Sequence, residues 1–179
     1  MNTNFKIENT FIKGIHVLES LQFKDNRGSF FRALDNSVIE ENYSEFNVAA
    51  VNISHTTKLG TIRGMHLQQS PFEEIKIVRC LKGMIFDVAV DMRKDSDTYK
   101  KWFGIYLKEN DGKALAIDKG CAHGFQTMKE NCTVLYIHSN VYDKRSEMGV
   151  RFNDPEIDIK WPQEITLVSE RDKSFDLIT

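Results

Sequence analysis

From residue 47 to residue 140 the chain is a succession of short β-branched runs separated by turn residues, a pattern that suits packed strands and not helices. Residues 47–54 (NVAAVNIS), 75–81 (IKIVRCL), 84–91 (MIFDVAVD), 102–107 and 113–117 read as strands, followed by 124–128 and 133–140. Lys82-Gly83 predicts a hairpin between two of them, with glycine supplying a positive φ. Residues 108–112 (KENDG) carry a second turn signal and 129–131 a third. Helical periodicity is scarce. Its best stretch is 36–46, with an Asn/Ser start and Val38, Ile39 and Tyr43 on one side. Many short strands at regular spacing predict an all-β sandwich or barrel with a few short helices.

No repeat, low-complexity tract or linker divides the 179 residues, so residues 1–179 read as one domain. A net charge of −2 argues against a nucleic-acid partner. The longest apolar stretches are short, so no membrane partner is expected. Cys80, Cys121 and Cys132 form no CxxC pair and read as reduced, mostly buried thiols. The N-terminus lacks a basic segment followed by an apolar run, so no signal peptide is apparent and a cytoplasmic location is expected.

Two stretches concentrate titratable residues in strand-like surroundings. In 60–68 (GTIRGMHLQ), regular alternation predicts Ile62, Gly64, His66 and Gln68 on one face, with Arg63, Met65 and Leu67 on the other. In 117–125 (IDKGCAHGF), His123 falls between a glycine turn and a Gly-Phe strand start, which predicts a place at the rim of a sheet. The two stretches resemble degraded cupin motifs. Gly60, five residues, His66-x-Gln68 and then Glu73 or Glu74 stand for the first; Asp118-x-Gly120, two residues and His123 stand for the second. That resemblance implies a double-stranded β-helix, the cupin-like jelly roll, with His66 and His123 lining its mouth. A first-row metal wants three or four His, carboxylate or Cys ligands. Here the second motif histidine is Gln68 and the nearby strand offers the cation Lys76, so no metal site is expected.

A fuller resemblance runs along residues 5–175. Asp25-Asn-Arg27-Gly28-Ser-Phe30-Phe31, Arg63-Gly-Met-His66, Lys76-Ile-Val-Arg79 and Phe86-Asp87-Val-Ala-Val-Asp91-Met-Arg93 occur in order. Gly120-Cys-Ala-His123-Gly-Phe125, Tyr136 with Tyr142, Asn153-Asp154-Pro155, Trp161-Pro162 and Ser169-x-x-Asp172 follow. This is similar to the dTDP-4-dehydrorhamnose 3,5-epimerase family. The resemblance implies an isomerase of deoxysugar biosynthesis that inverts C3, C5 or both of a nucleotide-linked 4-keto-6-deoxyhexose. Such chemistry proceeds by proton removal and return and needs no cofactor, and the sequence carries neither a GxGxxG loop nor a P-loop. The resemblance makes His66 the base, Asp172 its dyad carboxylate, Lys76 the cation beside the enolate oxygen and Tyr136 the acid, with Tyr142 an alternative for that role. Arg27 and Arg63 match arginines near the diphosphate, Asn52 an asparagine near the sugar, and His123 with Asp87 a supporting shell around the carbonyl. A homodimer is also implied, with the N-terminal segment beside the partner's site.

The chain departs from the family pattern at three places. Arg-Gly-x-Phe-x-Glu becomes Arg27-Gly28-Ser-Phe30-Phe31-Arg32, a charge reversal; a glutamine two residues before Asn52 is Ala50; and the aromatic residue after His66 is Leu67. The first two fall where the resemblance puts the nucleobase, which leaves dTDP, CDP and GDP sugars open. A metal-dependent cupin, a 3,4-ketoisomerase and a non-catalytic jelly roll that only binds a sugar nucleotide or serves as an assembly partner are the competing readings.

Overall fold

In the computed structural model, residues 5–44 and 46–178 are described; Met1–Asn4, Glu45, Thr179 and the side chain of Val38 lie outside the described residues. The strands are β1 (Phe5–Asn9), β2 (Ile15–Ser20), β3 (Phe23–Asp25), β4 (Gly28–Phe30), β5 (Ala50–Thr56), β6 (Thr61–Gln68) and β7 (Lys76–Lys82). They continue as β8 (Met84–Asp91), β9 (Trp102–Lys108), β10 (Lys113–Ile117), β11 (Cys121–Thr127), β12 (Cys132–His138), β13 (Glu147–Gly149) and β14 (Leu167–Val168). Two helices, α1 (Asn36–Glu40) and α2 (Glu170–Lys173), complete the described elements. One sheet runs β1-β2-β10-β7-β12-β5; the other runs β13-β6-β11-β8-β9, with β14 parallel to β6. The all-β expectation holds, and the two sheets face each other as in a jelly roll.

The expected hairpin at Lys82-Gly83 is corrected. β7 belongs to the first sheet and β8 to the second, so the turn carries the chain from one sheet to the other. The same crossing recurs from β9 to β10 and from β11 to β12. Turn chemistry is local: Gly83 has φ +83, as read, but glycine cannot specify which sheet the next strand joins. The expected helix is also shorter than 36–46. Asp35 caps α1 by accepting the Ser37 N–H, and the helix ends at Glu40, before the weak helix formers Asn42, Tyr43 and Ser44. Ile39, Tyr43 and Phe46 nonetheless pack together on the outer face of the first sheet against Leu18, Ile77 and Ile137.

Between the sheets the side chains change character along each strand. On β12 the inward row begins with buried Cys132 and Val134 and ends with Tyr136 and His138; on β7 it runs from Cys80 and Val78 to Lys76. Cys80, Val78 and Val134 meet Ile85, Ala89 and Phe125 of the opposite sheet in an apolar core that closes one end. The three cysteines are free and buried, as expected. The polar ends of the same rows face a cavity at the other end.

The predicted alternation on β6 is corrected as well. His123 pairs with His66 and Phe125 with Arg63, so β6 holds one residue more than β11 in this interval. A β-bulge of this kind reverses the facing of the residues beyond it. Arg63 and His66 therefore both line the cavity, while Met65 turns outward onto Phe86, Val88 and Ala122. Gly64 makes this possible: its φ is +128, and a Cβ there would lie 2.5 Å from the Gly124 Cα. Gly64→Ala is expected to lower stability by about 2 to 4 kcal/mol, combining backbone strain with a clash against main chain. A denaturant midpoint equal to that of the wild type would show that the bulge tolerates a side chain.

Candidate active site

The cavity has a volume of about 840 Å³ and opens between the two sheets, within the range of small-molecule sites. His66, Asp172, Lys76, Tyr136, Arg63, Asn52, His123 and Tyr142 all line it. Residues from β5, β6, β7, β11, β12 and the C-terminal turn are thus brought to one place. Arg27 is not in that lining; it sits on the β3–β4 hairpin, paired with Asp25, with its side chain 90% exposed.

His66 projects from β6, and its Nε2 lies 2.8 Å from Asp172 Oδ1. The second carboxylate oxygen accepts the Gly64 N–H at 3.1 Å. Asp172 is held in turn by α2, whose cap residue Ser169 accepts the Asp172 N–H at 3.1 Å. Burial pushes the Asp172 carboxyl up, but the hydrogen bonds and charge of His66 and the Gly64 N–H outweigh it and hold the group at about 2. His66 Nε2 also lies 2.8 Å from Arg171 Nη2, and Arg171 Nη1 donates to both Glu147 oxygens at 3.1 and 3.2 Å.

Tyr136 stands on β12, in the sheet opposite His66. Its hydroxyl shares a 2.8 Å hydrogen bond with Ser54 Oγ, and burial pushes its pKa up to about 12, so it keeps its proton at neutral pH. Tyr142 is 60% exposed and donates to Glu147 Oε2 at 3.0 Å. His123 differs from the expected rim position: β11 begins at Cys121, and the imidazole is buried inside the strand, 2.8 Å from buried Asp87 Oδ1. Desolvation lowers its pKa more than Asp87 raises it, so the ring is neutral at physiological pH. Arg63 donates from Nε to Thr56 Oγ1 at 2.8 Å and from Nη2 to the His55 carbonyl at 3.2 Å.

Lys76 lies beside His138 across β7 and β12, and Glu74 contacts both. His138, Glu147, Arg171 and Ser54 also line the cavity and were not read from the sequence; Glu74, read there only as one of two candidates for the acid of the first cupin-like motif, lines it too. Arg171 had a signal, being next to Asp172. The others are polar residues whose convergence depends on strand pairing. Among the described residues, no three His, Cys, Asp or Glu side chains are grouped so as to hold a metal ion.

This fold and site define a class: a jelly-roll enzyme with an imidazole–carboxylate pair on one wall of a sugar-sized cavity and a protonated phenol with an ammonium on the other. Residues 9–179 match the family model described as dTDP-4-dehydrorhamnose 3,5-epimerase. The chain is 37% identical over 164 residues to the Shigella flexneri protein of that name, covering 91% of this chain and 90% of that one. A Streptomyces niveus protein named dTDP-4-dehydrorhamnose 3-epimerase is 34% identical, covering 93% and 81%. The Bacillus anthracis dTDP-4-dehydrorhamnose 3,5-epimerase, solved with TDP and pyrophosphate bound, superposes with a TM-score of 0.93 at 34% identity, covering 97% of this chain and 99% of that chain. The chain belongs to the dTDP-4-dehydrorhamnose 3,5-epimerase family, and it is an isomerase of the carbohydrate epimerase kind.

The depressed carboxyls carry a pH dependence. Asp172 is held at about 2, as is Asp91, whose buried carboxylate accepts from Arg93, Ser96 and Thr98. An unfolded aspartate titrates near about 3.9, so their contribution is fully present above about pH 4 and is lost as pH falls toward about 2. Asp172→Asn is expected to remove on the order of 2 kcal/mol at neutral pH and to flatten the acid limb of a melting-temperature profile between about pH 5 and 2. An acid limb as steep as that of the wild type would contradict the assignment.

Proposed function

We propose that this protein inverts C3, C5 or both of a dTDP-linked 4-keto-6-deoxyhexose, with His66 and Tyr136 exchanging protons on opposite faces of the sugar. The observation that carries this reading is that the two groups come from opposing sheets and meet across one cavity. A ketone at C4 acidifies its neighbouring C–H bonds. His66, with one ring nitrogen committed to Asp172, takes the proton with the other; the electron pair moves onto the carbonyl oxygen as an enolate. The Lys76 ammonium stabilises that oxygen in a partly desolvated setting. Tyr136, protonated at neutral pH as a phenol ordinarily is, returns a proton to the carbon from the other face, and solvent restores both groups. Its depth and its bond to Ser54 support Tyr136 over exposed Tyr142 as the acid.

His123 and Asp87 form the buried pair behind the carbonyl. Arg63 serves the diphosphate, where a guanidinium fork suits phosphate oxygens, and Asn52 serves the sugar. The nucleotide preference rests on the names of the relatives, and Ala50 in the cavity lining leaves the base contact open to CDP or GDP.

The protein acts as one domain and as a homodimer in the cytoplasm. Edge strand β5 exposes Val51 and Ile53, and the β3–β4 hairpin exposes Phe23 and Phe30 on either side of Arg27, which supports pairing that delivers Arg27 to a partner's cavity. Among the described residues no helix is long and apolar enough to cross a membrane.

Deuterium wash-in from D₂O tests the chemistry. The wild type is expected to exchange protons of a dTDP 4-keto sugar, His66→Ala to lose at least about 100-fold, and Tyr136→Phe to keep part of the exchange while losing inversion. Full inversion by Tyr136→Phe would move the acid role to Tyr142, and exchange only with CDP or GDP sugars would change the nucleotide. Light scattering at monomer mass would remove the placement of Arg27.

A further inference from the structure

Three histidines line the cavity, and each carries a carboxylate: His66 with Asp172, His123 with Asp87, and His138 with Glu74. The third pair has no part in the chemistry above. Its geometry is closely defined. Glu74 Oε2 lies 2.7 Å from His138 Nδ1, and its Oε1 lies 3.2 Å from Lys76 Nζ. The side chains of Glu74, Lys76 and His138 are only 10%, 12% and 13% exposed. The backbone beneath them is stitched between strands. Ile75 N–H donates to Ser139 Oγ at 2.7 Å, Ser139 N–H donates to the Ile75 carbonyl, and Asn140 Nδ2 donates to the Glu73 carbonyl. The His138 ring runs nearly parallel to that of Tyr136, at 23° and 6.1 Å between centroids.

A lysine ammonium is a point charge on a flexible four-carbon stem. Left alone in a cavity this size it would sample many positions, and stabilisation of a developing oxyanion depends on the donor being in place beforehand. Glu74 fixes one of its three donors, and His138 fixes Glu74 through the other carboxylate oxygen. We infer that Glu74 and His138 are the positioning dyad for Lys76, holding its ammonium toward the C4 oxygen of the bound sugar. The inference rests on the epimerase reading proposed above. An opposing effect must be weighed: a carboxylate beside Lys76 also dilutes the positive potential at the enolate oxygen. If dilution outweighed positioning, removing the charge would speed the reaction. The hydrogen bond from His138 draws on that carboxylate, and burial limits reorganisation, so positioning is expected to win.

The test is steady-state epimerisation of a dTDP-linked 4-keto-6-deoxyhexose by Glu74→Gln, His138→Leu and His138→Asn, with melting temperatures recorded for each. Glu74→Gln is expected to lower kcat by about 10- to 100-fold, the scale of a misplacement near 1 Å, with KM changed by less than about 3-fold. His138→Leu is expected to lower kcat in the same way, and His138→Asn, whose amide can donate where Nδ1 does, to recover most of the loss. In a Lys76→Met background Glu74→Gln is expected to cost less than about 2-fold more, because its effect passes through the lysine. An unchanged or raised kcat in Glu74→Gln, a loss confined to KM, or full additivity with Lys76→Met would each overturn the inference. Should Glu74→Gln fail to fold, the two His138 variants decide: equal kcat in both would overturn it. If the wild type itself turns over no 4-keto sugar, the epimerase reading fails instead.

Discussion

One buried carboxylate ties the active site together. Asp172 accepts from the Gly64 N–H and pairs with His66, joining a short helical turn near the C-terminus to a strand more than a hundred residues away. A buried charge persists only when its oxygens are satisfied, and both are satisfied by the strand that carries His66. A helix of four residues has no stability of its own, so α2 depends on this contact and on its Ser169 cap. The same bonds anchor the β6 bulge, which turns Arg63 and His66 to the same side. Fold, bulge and the His66–Asp172 pair are therefore one interdependent arrangement.

The second organising feature is the gradient along the strands. Inward rows begin apolar and end polar, so burial at one end stabilises the sandwich while the other end keeps room for a ligand. Because His66 and Tyr136 hang from different sheets, a ring bound between them presents opposite faces to the two groups. Inversion of a carbon needs that opposition. The epimerase family's chemistry thus follows from sandwich architecture as much as from residue choice.

Much of the strand content was legible. The runs at 84–91 and 113–117 were read with their observed limits, because apolar residues are dense there and turn residues bound them. β1 to β4, β13 and β14 were not read; β3, β4, β13 and β14 are two or three residues long, and in β1 and β2 charged and polar residues interrupt the apolar ones. The Lys82-Gly83 turn was visible but its destination was not, since sheet membership is decided by long-range packing. Parity on β6 failed because a bulge cannot be seen in side-chain alternation. His66, Lys76, Tyr136 and Asp172 were named through family resemblance, and no spacing rule joins residues 66 and 172. His138, Glu147 and Arg171 went unread, and Glu74 was seen only as one of two motif acids, because, in a chain with 28% charged residues, a single acid or base carries no mark of its eventual neighbours.

The account turns on where a 4-keto sugar lies relative to the two walls of the cavity. A crystal structure of the protein with a dTDP-linked sugar bound would decide it directly. The account predicts the ring held between His66 and Tyr136, with C3 or C5 within about 3.5 Å of the imidazole, the phenol on the other face and the C4 oxygen beside Lys76. A sugar ring lying outside that gap, or with His66 and Tyr136 on the same face, would contradict it.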